Sequence, residues 1–243
     1  MYRGIAFIPA RSGSKRLQDK NVKLLDGHPL LAYSINAAKK SGAFERVICA
    51  TDSVAYAETA RRYGAEVPAL RPSSISDDTS TDIQWVDFML REIQKSQALF
   101  DFFSILRPTS PFRSEKSIIE ATELLLANKW ADSVRAVEKC DEHPGKMWVI
   151  KNQLMMPLLP FEIDGVPWHS NQTSKLPEIY KQNASLEVAW VKTAMEQKSI
   201  SGTKIIPFVT HEYEGFDINT HLDWLVAEKL LEAGLVKLPQ VSC

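Results

Sequence analysis

The sequence predicts an α/β fold with a Rossmann-like, open and mostly parallel sheet. In the first half of the chain, short apolar runs alternate with amphipathic stretches, the pattern of strands joined by helical crossovers. The 243 residues are 44% hydrophobic and 24% charged, which is typical of a globular protein with one sizeable core. We therefore expect a single main domain over residues 1–243.

The apolar runs and amphipathic stretches predict strands and helices in a regular order. The predicted strands lie near residues 4–9, 46–51, 102–106 and 204–209. The predicted helices lie near residues 29–41, 54–63, 80–97 and 115–128, and a last helix contains Leu222, Trp224, Leu225, Ala227, Leu230 and Leu231. The first strand ends at Pro9, and the helix after it has apolar residues at helical spacing.

The loop after the first strand, from Ala10 to Asn21, is rich in small, basic and amide residues. Its cations are Arg11, Lys15, Arg16 and Lys20, and two of its hydroxyl groups belong to Ser12 and Ser14. Gly13 allows backbone conformations that other residues resist. Because doubly wound sheets bind nucleotides at the carboxyl ends of their strands, the loop predicts a polyphosphate site. A solvated basic turn is the alternative.

This loop differs from two common nucleotide-binding motifs. A Walker A loop has a glycine directly before its lysine, whereas Ser14 precedes Lys15. The chain also has no G-x-G-x-x-G sequence, so it lacks the dinucleotide fingerprint.

Two further polar stretches follow strands or helices of the predicted sheet. Thr51, Asp52 and Ser53 come after the second strand, where helix capping alone could explain them. The stretch from Arg71 to Thr81 is too polar for a core, and loops of this length in compact domains are often functional.

One long motif identifies a family. The segment Ile8–Lys15 with Lys20-Asn21 resembles the signature of the CMP-sialic acid synthetase (acylneuraminate cytidylyltransferase) family, which includes relatives acting on other nonulosonic acids. Later blocks resemble the family in order: Ala50–Ser53, Arg71-Pro72, Arg107–Arg113, His143–Lys146, Gln182-Asn183 and Phe216–Thr220. Together the blocks cover nearly the whole chain.

The resemblance implies a cytidylyltransferase that joins CTP and an acidic higher sugar, a nonulosonic acid of sialic, legionaminic or pseudaminic type. The products would be the CMP-sugar and pyrophosphate. The implied catalytic residues are Arg11, Lys15 and Asp217, and the implied nucleotide-binding residues are Ala10, Arg11, Gly13, Ser14, Lys15, Lys20, Asn21, Arg71 and Ser80. The alternatives are a same-fold nucleotidyltransferase for a sugar 1-phosphate or an eight-carbon Kdo-like ulosonate, and a nucleotide-binding module without turnover.

The resemblance also implies a sugar site, at which this chain departs from the family. The sugar-binding residues would be Arg107, Lys146, Asn183 and Glu187. The family usually has glutamine where this chain has Arg107, and a tyrosine where it has Glu187. We therefore expect N-acetylneuraminate to be a poor substrate and another higher ulosonate to be a better one.

Asp217 and Asn219 form a candidate metal site. They alternate with Phe216 and Ile218, so in an extended segment they share one face, and oxygen ligands of this kind suit Mg²⁺, with Mn²⁺ as a second possibility. The family usually has Asp-x-Asp here, and Asn219 keeps the oxygen but loses a charge. Helix capping by Asn219 or Thr220 is the alternative, and it is compatible with metal binding.

From about residue 133 to residue 187 the regular alternation breaks down. The segment contains Trp148, Trp168, Met147, Met155 and Met156, and apolar side chains without periodicity suggest a surface that something else buries. The resemblance implies a small dimerisation subdomain inserted in the fold, and hence a homodimer. A poorly packed loop excursion is the alternative.

Composition limits the partners and the compartment. With 29 basic and 30 acidic residues the chain has no overall basic field, so we expect no nucleic-acid partner. Cys49, Cys140 and Cys243 are an odd and widely separated set, which favours a reducing compartment over a disulfide framework. The first hydrophobic run is too short for a signal peptide or a membrane span, so we expect a cytoplasmic protein with no membrane partner.

Overall fold

Strands and helices alternate along most of the chain in the computed structural model, which describes residues 2–241. The strands are β1 (Gly4–Pro9), β2 (Leu24–Leu25), β3 (His28–Pro29), β4 (Arg46–Ala50), β5 (Phe102–Ile105), β6 (Ser133–Lys139), β7 (Trp148–Lys151), β8 (Leu154–Pro157), β9 (Glu162–Ile163), β10 (Val166–Pro167), β11 (Tyr180–Trp190) and β12 (Ile205–Val209). The helices are α1 (Leu30–Ser41), α2 (Val54–Arg62), α3 (Asp82–Gln94), α4 (Glu115–Ala127), α5 (Val191–Gln197) and α6 (His221–Glu232). Cys243 lies outside the described residues.

Six of these strands form one sheet in the order β12-β6-β11-β5-β1-β4. β1 pairs in parallel with both β4 and β5, and β11 pairs antiparallel with β5. The predicted α/β class with a Rossmann-like sheet is therefore confirmed. The carboxyl ends of β1, β4 and β5 lie at the same edge of the sheet.

β1 is buried on both of its faces, which explains why its sequence is a continuous apolar run. Ile5 and Phe7 pack into one core cluster with residues of α3, whereas Ala6 and Ile8 pack into another with residues of α1 and α4. Successive side chains of a strand point to opposite faces, so one run serves both layers.

The predicted helices of the first half agree with α1 to α4, and the largest difference lies at α3. The prediction covered residues 80–97, but the helix runs from Asp82 to Gln94 because Thr81 and Gln84 form a capping box at its start. α5 was not predicted, since its seven residues are too few for a clear helical period.

The chain forms two compact units, and the smaller one is Val137–Gln182. Its antiparallel hairpin pairs β7 with β8, and a second short pair joins β9 to β10. This unit lies inside the predicted 133–187 insertion, whose role in dimerisation stays a prediction. The larger unit contains the described residues up to Ala136 and from Asn183 onward.

No strand was predicted in the 133–187 segment, but β6 and most of β11 lie there and belong to the central sheet. β11 is buried from Leu186 to Trp190, including the side chain of Glu187. A charged residue in the middle of an apolar run hides the strand from a search for hydrophobic pattern.

None of the helices in residues 2–241 combines the length and the apolar character needed to cross a membrane.

Candidate active site

A cavity of about 400 Å³ opens beside the loop that follows β1. Ten of the predicted site residues line it: Arg11, Ser14, Lys15, Lys20, Asn21, Arg71, Ser80, Arg107, Asp217 and Asn219. They come from the beginning, the middle and the end of the sequence. The structure thus brings most of the predicted nucleotide-binding residues, Arg107 of the predicted sugar site and both predicted metal ligands together at one place.

The loop after β1 is anchored to the turn after β4. The backbone N–H of Ala10 donates to the carbonyl of Ala50 at 3.0 Å. The backbone N–H and the hydroxyl of Ser12 donate to the two carboxylate oxygens of Asp52, each at 2.7 Å. Ser53 caps α2, so capping accounts for Ser53 while Asp52 holds the loop. Gly13 adopts a φ of 72°, a value that favours glycine.

Arg11 and Lys15 are paired with the same carboxylate. Arg11 Nη2 lies 2.8 Å from Asp78 Oδ1, and Lys15 Nζ lies 2.5 Å from Asp78 Oδ2. Lys15 and Arg11 together hold the pKa of Asp78 below its usual range. An anionic group is therefore already bound where the sequence predicted a polyphosphate.

Lys20 and Arg16 converge on Asn219. Lys20 Nζ donates to Asn219 Oδ1 at 2.9 Å and to the carbonyl of Ile218 at 3.0 Å, and Arg16 Nη2 donates to Asn219 Oδ1 at 3.0 Å. Burial lowers the pKa of Lys20 from its ordinary value. These bonds join the loop after β1 to the segment before α6.

Asp217 has the features expected of a metal ligand. Its Oδ2 accepts a hydrogen bond from Asn219 Nδ2, whereas its Oδ1 is buried with no hydrogen-bond partner among residues 2–241. Buried carboxylate oxygens normally have hydrogen-bond partners. Carboxylate oxygens are also ligands that Mg²⁺ prefers. Asp217 therefore fits a divalent cation. Asn219 fits less well, because its oxygen already accepts from two cationic side chains.

The cap of α6 is Thr220 rather than Asn219. The Thr220 hydroxyl accepts from the backbone N–H of Asp223, and Asp223 Oδ2 accepts from the backbone N–H of Thr220 in return. The side chain of Asn219 takes no part in this capping box. The oxygen of the Asn219 side chain instead accepts hydrogen bonds from Lys20 and Arg16 and orients them.

Three of the predicted nucleotide-binding residues, Asn21, Arg71 and Ser80, lie on the wall of the cavity. Asn21 Nδ2 donates to the carbonyl of Arg11 at 3.1 Å, and Ser80 Oγ donates to Asp77 Oδ1 at 2.8 Å. Arg71 is nearly buried, and its guanidinium carbon lies 5.5 Å from the ring centre of Trp85. Burial lowers the pKa of Arg71 below its ordinary value.

Arg107 belongs to a chain of alternating charges. Its Nη2 lies 2.5 Å from Asp82 Oδ2 and 3.1 Å from Glu187 Oε1, and Arg135 Nη2 lies 2.6 Å from Glu187 Oε2. Arg107 and Asp82 line the cavity, but Glu187 does not. The structure thus places the predicted sugar residue Glu187 behind Arg107.

The side chains of two other predicted sugar residues form hydrogen bonds with other residues of the protein. Asn183 is buried, with its Nδ2 donating to Thr210 Oγ1 at 2.9 Å and its Oδ1 accepting from the backbone N–H of Ser185 at 3.1 Å. Lys146 belongs to the smaller unit, where its ammonium donates to the carbonyls of His169 and Asn171.

Several residues with roles in this site were not predicted from the sequence: Asp78, Asp82, Trp85 and Arg135. Asp78 lies in the polar loop that was singled out for its length, so its position could have been suspected. Asp82 begins a helix and resembles an ordinary first-turn acid. No local pattern marks Arg135, because its partner Glu187 is 52 positions away in the chain.

Comparisons with known proteins identify the family to which this chain is similar. A family model described as cytidylyltransferase matches residues 5–147. The CMP-N,N'-diacetyllegionaminic acid synthase of Legionella pneumophila is 37% identical over 231 residues, with 94% of this chain and 96% of that protein covered. The N-acylneuraminate cytidylyltransferase of Escherichia coli is 31% identical over 229 residues, covering 92% of this chain but 51% of that longer protein.

Solved structures share the fold at low sequence identity. A CMP:2-keto-3-deoxy-manno-octonic acid synthetase in complex with CTP superposes with a TM-score of 0.71 at 12% identity, covering 96% of this chain and 99% of that one. A 4-diphosphocytidyl-2C-methyl-D-erythritol synthase from Anaerococcus prevotii gives a TM-score of 0.61 at 14% identity, covering 95% and 99%. At these identities the likeness describes the fold alone.

Proposed function

The chain belongs to the cytidylyltransferase family, and from this premise we propose that it transfers the cytidylyl group of CTP to a nonulosonic acid. The products are the CMP-sugar and pyrophosphate. The observation that carries the proposal is the convergence of Arg11, Lys15, Lys20 and Asp217 on one cavity at the end of β1. The full-length likeness to a CMP-N,N'-diacetyllegionaminic acid synthase supports the sugar class.

The chemistry needs positioning and charge neutralisation more than a protein nucleophile. A sugar hydroxyl attacks the α-phosphorus of CTP and loses its proton to solvent, the bond from that phosphorus to the bridging oxygen breaks, and pyrophosphate leaves. Arg11 and Lys15 bind the triphosphate in place of the Asp78 carboxylate and stabilise the charge that develops on it. Lys20, held by Asn219, adds a further cation.

We further propose that the enzyme uses Mg²⁺, or Mn²⁺ in its place, with Asp217 as the principal ligand. The support is the buried Oδ1 of Asp217, which has no hydrogen-bond partner among the described residues. A bound divalent cation would neutralise phosphate charge. Asn219 would then orient Lys20 and Arg16 beside the cation, or contribute a weaker ligand through its oxygen.

The base is read, in this proposal, by Asn21, Arg71 and the backbone near Ser80. Cytosine has acceptors at O2 and N3 and a donor at its exocyclic amine, so a guanidinium or amide donor with a carbonyl acceptor separates it from uracil. All three residues line the cavity.

Among acidic sugars we favour a nonulosonic acid over an eight-carbon Kdo-like ulosonate. One relative that is covered almost completely is a CMP-N,N'-diacetyllegionaminic acid synthase, whereas the likeness to the octonic acid synthetase has 12% identity and concerns the fold. Arg107 and Glu187 replace residues usual in sialic acid synthetases. We therefore keep the proposal that N-acetylneuraminate is a poor substrate.

We also propose a homodimer formed through residues 133–187. The hairpin of β7 and β8 carries a group of exposed apolar side chains: Trp148, Val149, Ile150, Leu154, Met155 and Met156. Contiguous apolar patches of this kind usually mark interaction sites. Ile150 and Met155 are cross-strand partners, at 72% and 57% exposure, so they present one apolar pair.

The free thiols of Cys49 and Cys140 support a further proposal, that the enzyme works in the cytoplasm. Reducing compartments keep cysteines unpaired. Burial raises the pKa of the Cys49 thiol to about 12, so this residue is an inert part of the core.

The test is an incubation of the purified protein with CTP, Mg²⁺ and one acidic sugar at a time, with pyrophosphate release as the signal and mass spectrometry of the product. The panel contains N,N'-diacetyllegionaminate, pseudaminate, N-acetylneuraminate and Kdo, and UTP replaces CTP as the nucleotide control. We expect turnover with CTP and a nonulosonate other than N-acetylneuraminate. Turnover of Kdo alone would overturn the sugar class, and no turnover with any of the sugars would overturn the function.

A further inference from the structure

Four side chains form a continuous series of ion pairs at the edge of the cavity, and we call them the arginine–carboxylate chain: Asp82, Arg107, Glu187 and Arg135. The spacing along it is 2.5 Å from Asp82 to Arg107, 3.1 Å from Arg107 to Glu187 and 2.6 Å from Glu187 to Arg135, each measured between nitrogen and oxygen. The Glu187 side chain is 4% exposed and the Arg107 side chain 25% exposed.

The four side chains of the arginine–carboxylate chain come from four separate segments of the fold. Asp82 is the first residue of α3, Arg107 follows β5, Glu187 lies on β11 and Arg135 lies on β6. Glu187 pairs with Ile105 in the register of β11 and β5. Because strand positions are fixed by backbone hydrogen bonds, the carboxylate of Glu187 approaches Arg107 from a rigid support.

The backbone of Arg107 is fixed as well. Its carbonyl accepts from Ser34 Oγ at 3.1 Å and from Arg113 Nη1 at 3.3 Å. Arg113 is almost completely buried and also donates to the carbonyl of Ser185 on β11. The Arg107 guanidinium is therefore constrained through its main chain and through both carboxylates.

The charges of the four side chains cancel. Burial alone would lower the pKa of Arg107, but the carboxylates of Asp82 and Glu187 raise it by more than burial lowers it. The pKa therefore lies above its ordinary value, and the guanidinium stays charged. Burial alone would raise the pKa of Asp82, but Arg107 lowers it below the ordinary value. A guanidinium with two carboxylate partners offers directed N–H donors rather than an uncompensated positive charge.

Only two of the four residues in the arginine–carboxylate chain face the cavity. Asp82 and Arg107 line the cavity, whereas Glu187 and Arg135 stand behind them and do not. We propose that Glu187 and Arg135 are positioning residues for sugar recognition, which hold Arg107 as a charge-compensated hydrogen-bond donor toward an uncharged oxygen of the sugar. This inference rests on the proposed function, and it replaces a direct sugar contact of Glu187 with an indirect role.

The proposed positioning role predicts different effects on sugar binding and on nucleotide binding. If Arg107 reads the sugar, loosening its support weakens sugar binding and leaves CTP binding to Arg11, Lys15 and Lys20 unchanged. A purely structural role would lower thermal stability and affect both substrates alike. The ratio of the two KM values therefore distinguishes the possibilities.

The experiment measures KM for CTP and for the best sugar substrate in the full-length Glu187→Gln and Arg135→Met variants. Glu187→Gln keeps an oxygen acceptor but removes the charge between two guanidinium groups, and Arg135→Met leaves Glu187 with a single cation. We expect KM for the sugar to rise about tenfold or more in each, with KM for CTP within about twofold of the wild-type value. Arg135→Met decides the question if Glu187→Gln does not fold.

A matched control is the Arg46–Glu66 pair, in which Arg46 Nη2 lies 2.6 Å from Glu66 Oε2 on residues that do not line the cavity. Glu66→Gln should leave both KM values unchanged. A double variant supplies the second control: in an Arg107→Gln background, Glu187→Gln should have no further effect on KM for the sugar, because the group it positions is gone.

Each remaining outcome contradicts the inference. Equal changes in both KM values, a change in KM for CTP alone, additive effects in the double variant, or normal sugar KM in folded Arg135→Met would each show that the pair does not position a sugar contact. Failure of the proposed function is distinguishable, because then the wild-type protein itself releases no pyrophosphate with any sugar of the panel.

Discussion

Lys15 Nζ lies 2.5 Å from Asp78 Oδ2, so an ion pair joins the loop after β1 to the polar loop before α3. Arg11 contacts the other oxygen of the same carboxylate. The two cations assigned to the triphosphate thus share one internal anion, which a polyphosphate must replace in order to bind them. We therefore expect Asp78 to influence the affinity for the nucleotide.

Asp78→Asn should lower KM for CTP about two- to fivefold, because exposed ion pairs are weak and the carboxylate competes with phosphate for the same cations. The measurement is the KM for CTP at saturating sugar, and the difference from wild type should shrink at high salt. Glu45→Gln, which removes an equally exposed partner of Arg3, is the control and should leave KM unchanged. A higher KM in Asp78→Asn would show that Asp78 assists binding instead of competing.

Arg11→Ala and Lys15→Ala should each lower kcat by on the order of 10²-fold or more, as removal of a preorganised charge contact to a transition state typically does. Lys15 is highly exposed, at 81% of its side chain, so its variant should remain folded. Circular dichroism supplies the folding control. Near-normal rates in folded variants would remove both residues from the catalytic site.

Asn219→Asp should lower the Mg²⁺ concentration that gives half-maximal activity. The amide of Asn219 donates to Asp217, and a carboxylate in its place would set two negative charges side by side, an arrangement that attracts a hard divalent cation. The titration is repeated with Asn152→Asp, a change in the β7–β8 turn of the smaller unit. An unchanged Mg²⁺ titration would restrict Asn219 to orienting Lys20 and Arg16.

Asp132 should contribute stability that depends on pH. Its carboxylate accepts the backbone N–H groups of Lys204 and Thr203, each at 2.9 Å, and these bonds lower its pKa to about 2. A carboxyl whose pKa is lowered by folding stabilises the protein above its unfolded pKa, and this contribution disappears as the pH falls from about 4 toward 2.

We therefore expect Asp132→Asn to lower the free energy of unfolding by roughly 1 kcal/mol at pH 7, a figure that allows for solvent screening, and by less at pH 3. Urea denaturation at the two pH values measures the difference. Glu142→Gln, a change at an exposed carboxyl, should have no comparable effect. A difference that is the same at both pH values would show that the hydrogen bonds do not depend on the charge.

Ile150→Asp combined with Met155→Asp should convert a dimer into a monomer, because two carboxylates would have to be buried in an apolar interface. Multi-angle light scattering gives the mass. Leu99→Asp is the control, since Leu99 is similarly exposed at 65% but belongs to the larger unit. A wild-type monomer with full activity would contradict the dimer proposal.

Much of the first half of the fold could be predicted because its signals are local. β1 is a continuous apolar run, and helical spacing marks α1 to α4, so the order of these elements follows from neighbouring residues. β11 could not be predicted in this way. Its buried Glu187 is tolerable only because Arg107 and Arg135 compensate its charge, and both lie far from it in sequence.

The same distinction between local signals and contacts distant in sequence applies to the candidate site. The phosphate loop is a short contiguous motif, and the structure places its cations at the cavity as expected. The sugar-side residues were identified from separate blocks, and the structure assigns two of them, Asn183 and Glu187, to positions behind the cavity wall. Sequence indicated which residue types were present there, but it did not indicate which of them face the cavity.

Three features follow from the order of residues along the chain: the α/β class, the position of the cation-rich loop after β1 and the alternation of Asp217 with Asn219. Each depends on residues a few positions apart. The contact of Lys15 with Asp78 and the position of Arg107 between Asp82 and Glu187 are visible only in the folded structure. The partners of Arg107 are 25 and 80 positions away in the chain. The contact with Glu187 depends on the pairing of β11 with β5, which hydrogen bonding between distant strands establishes and which no local pattern specifies.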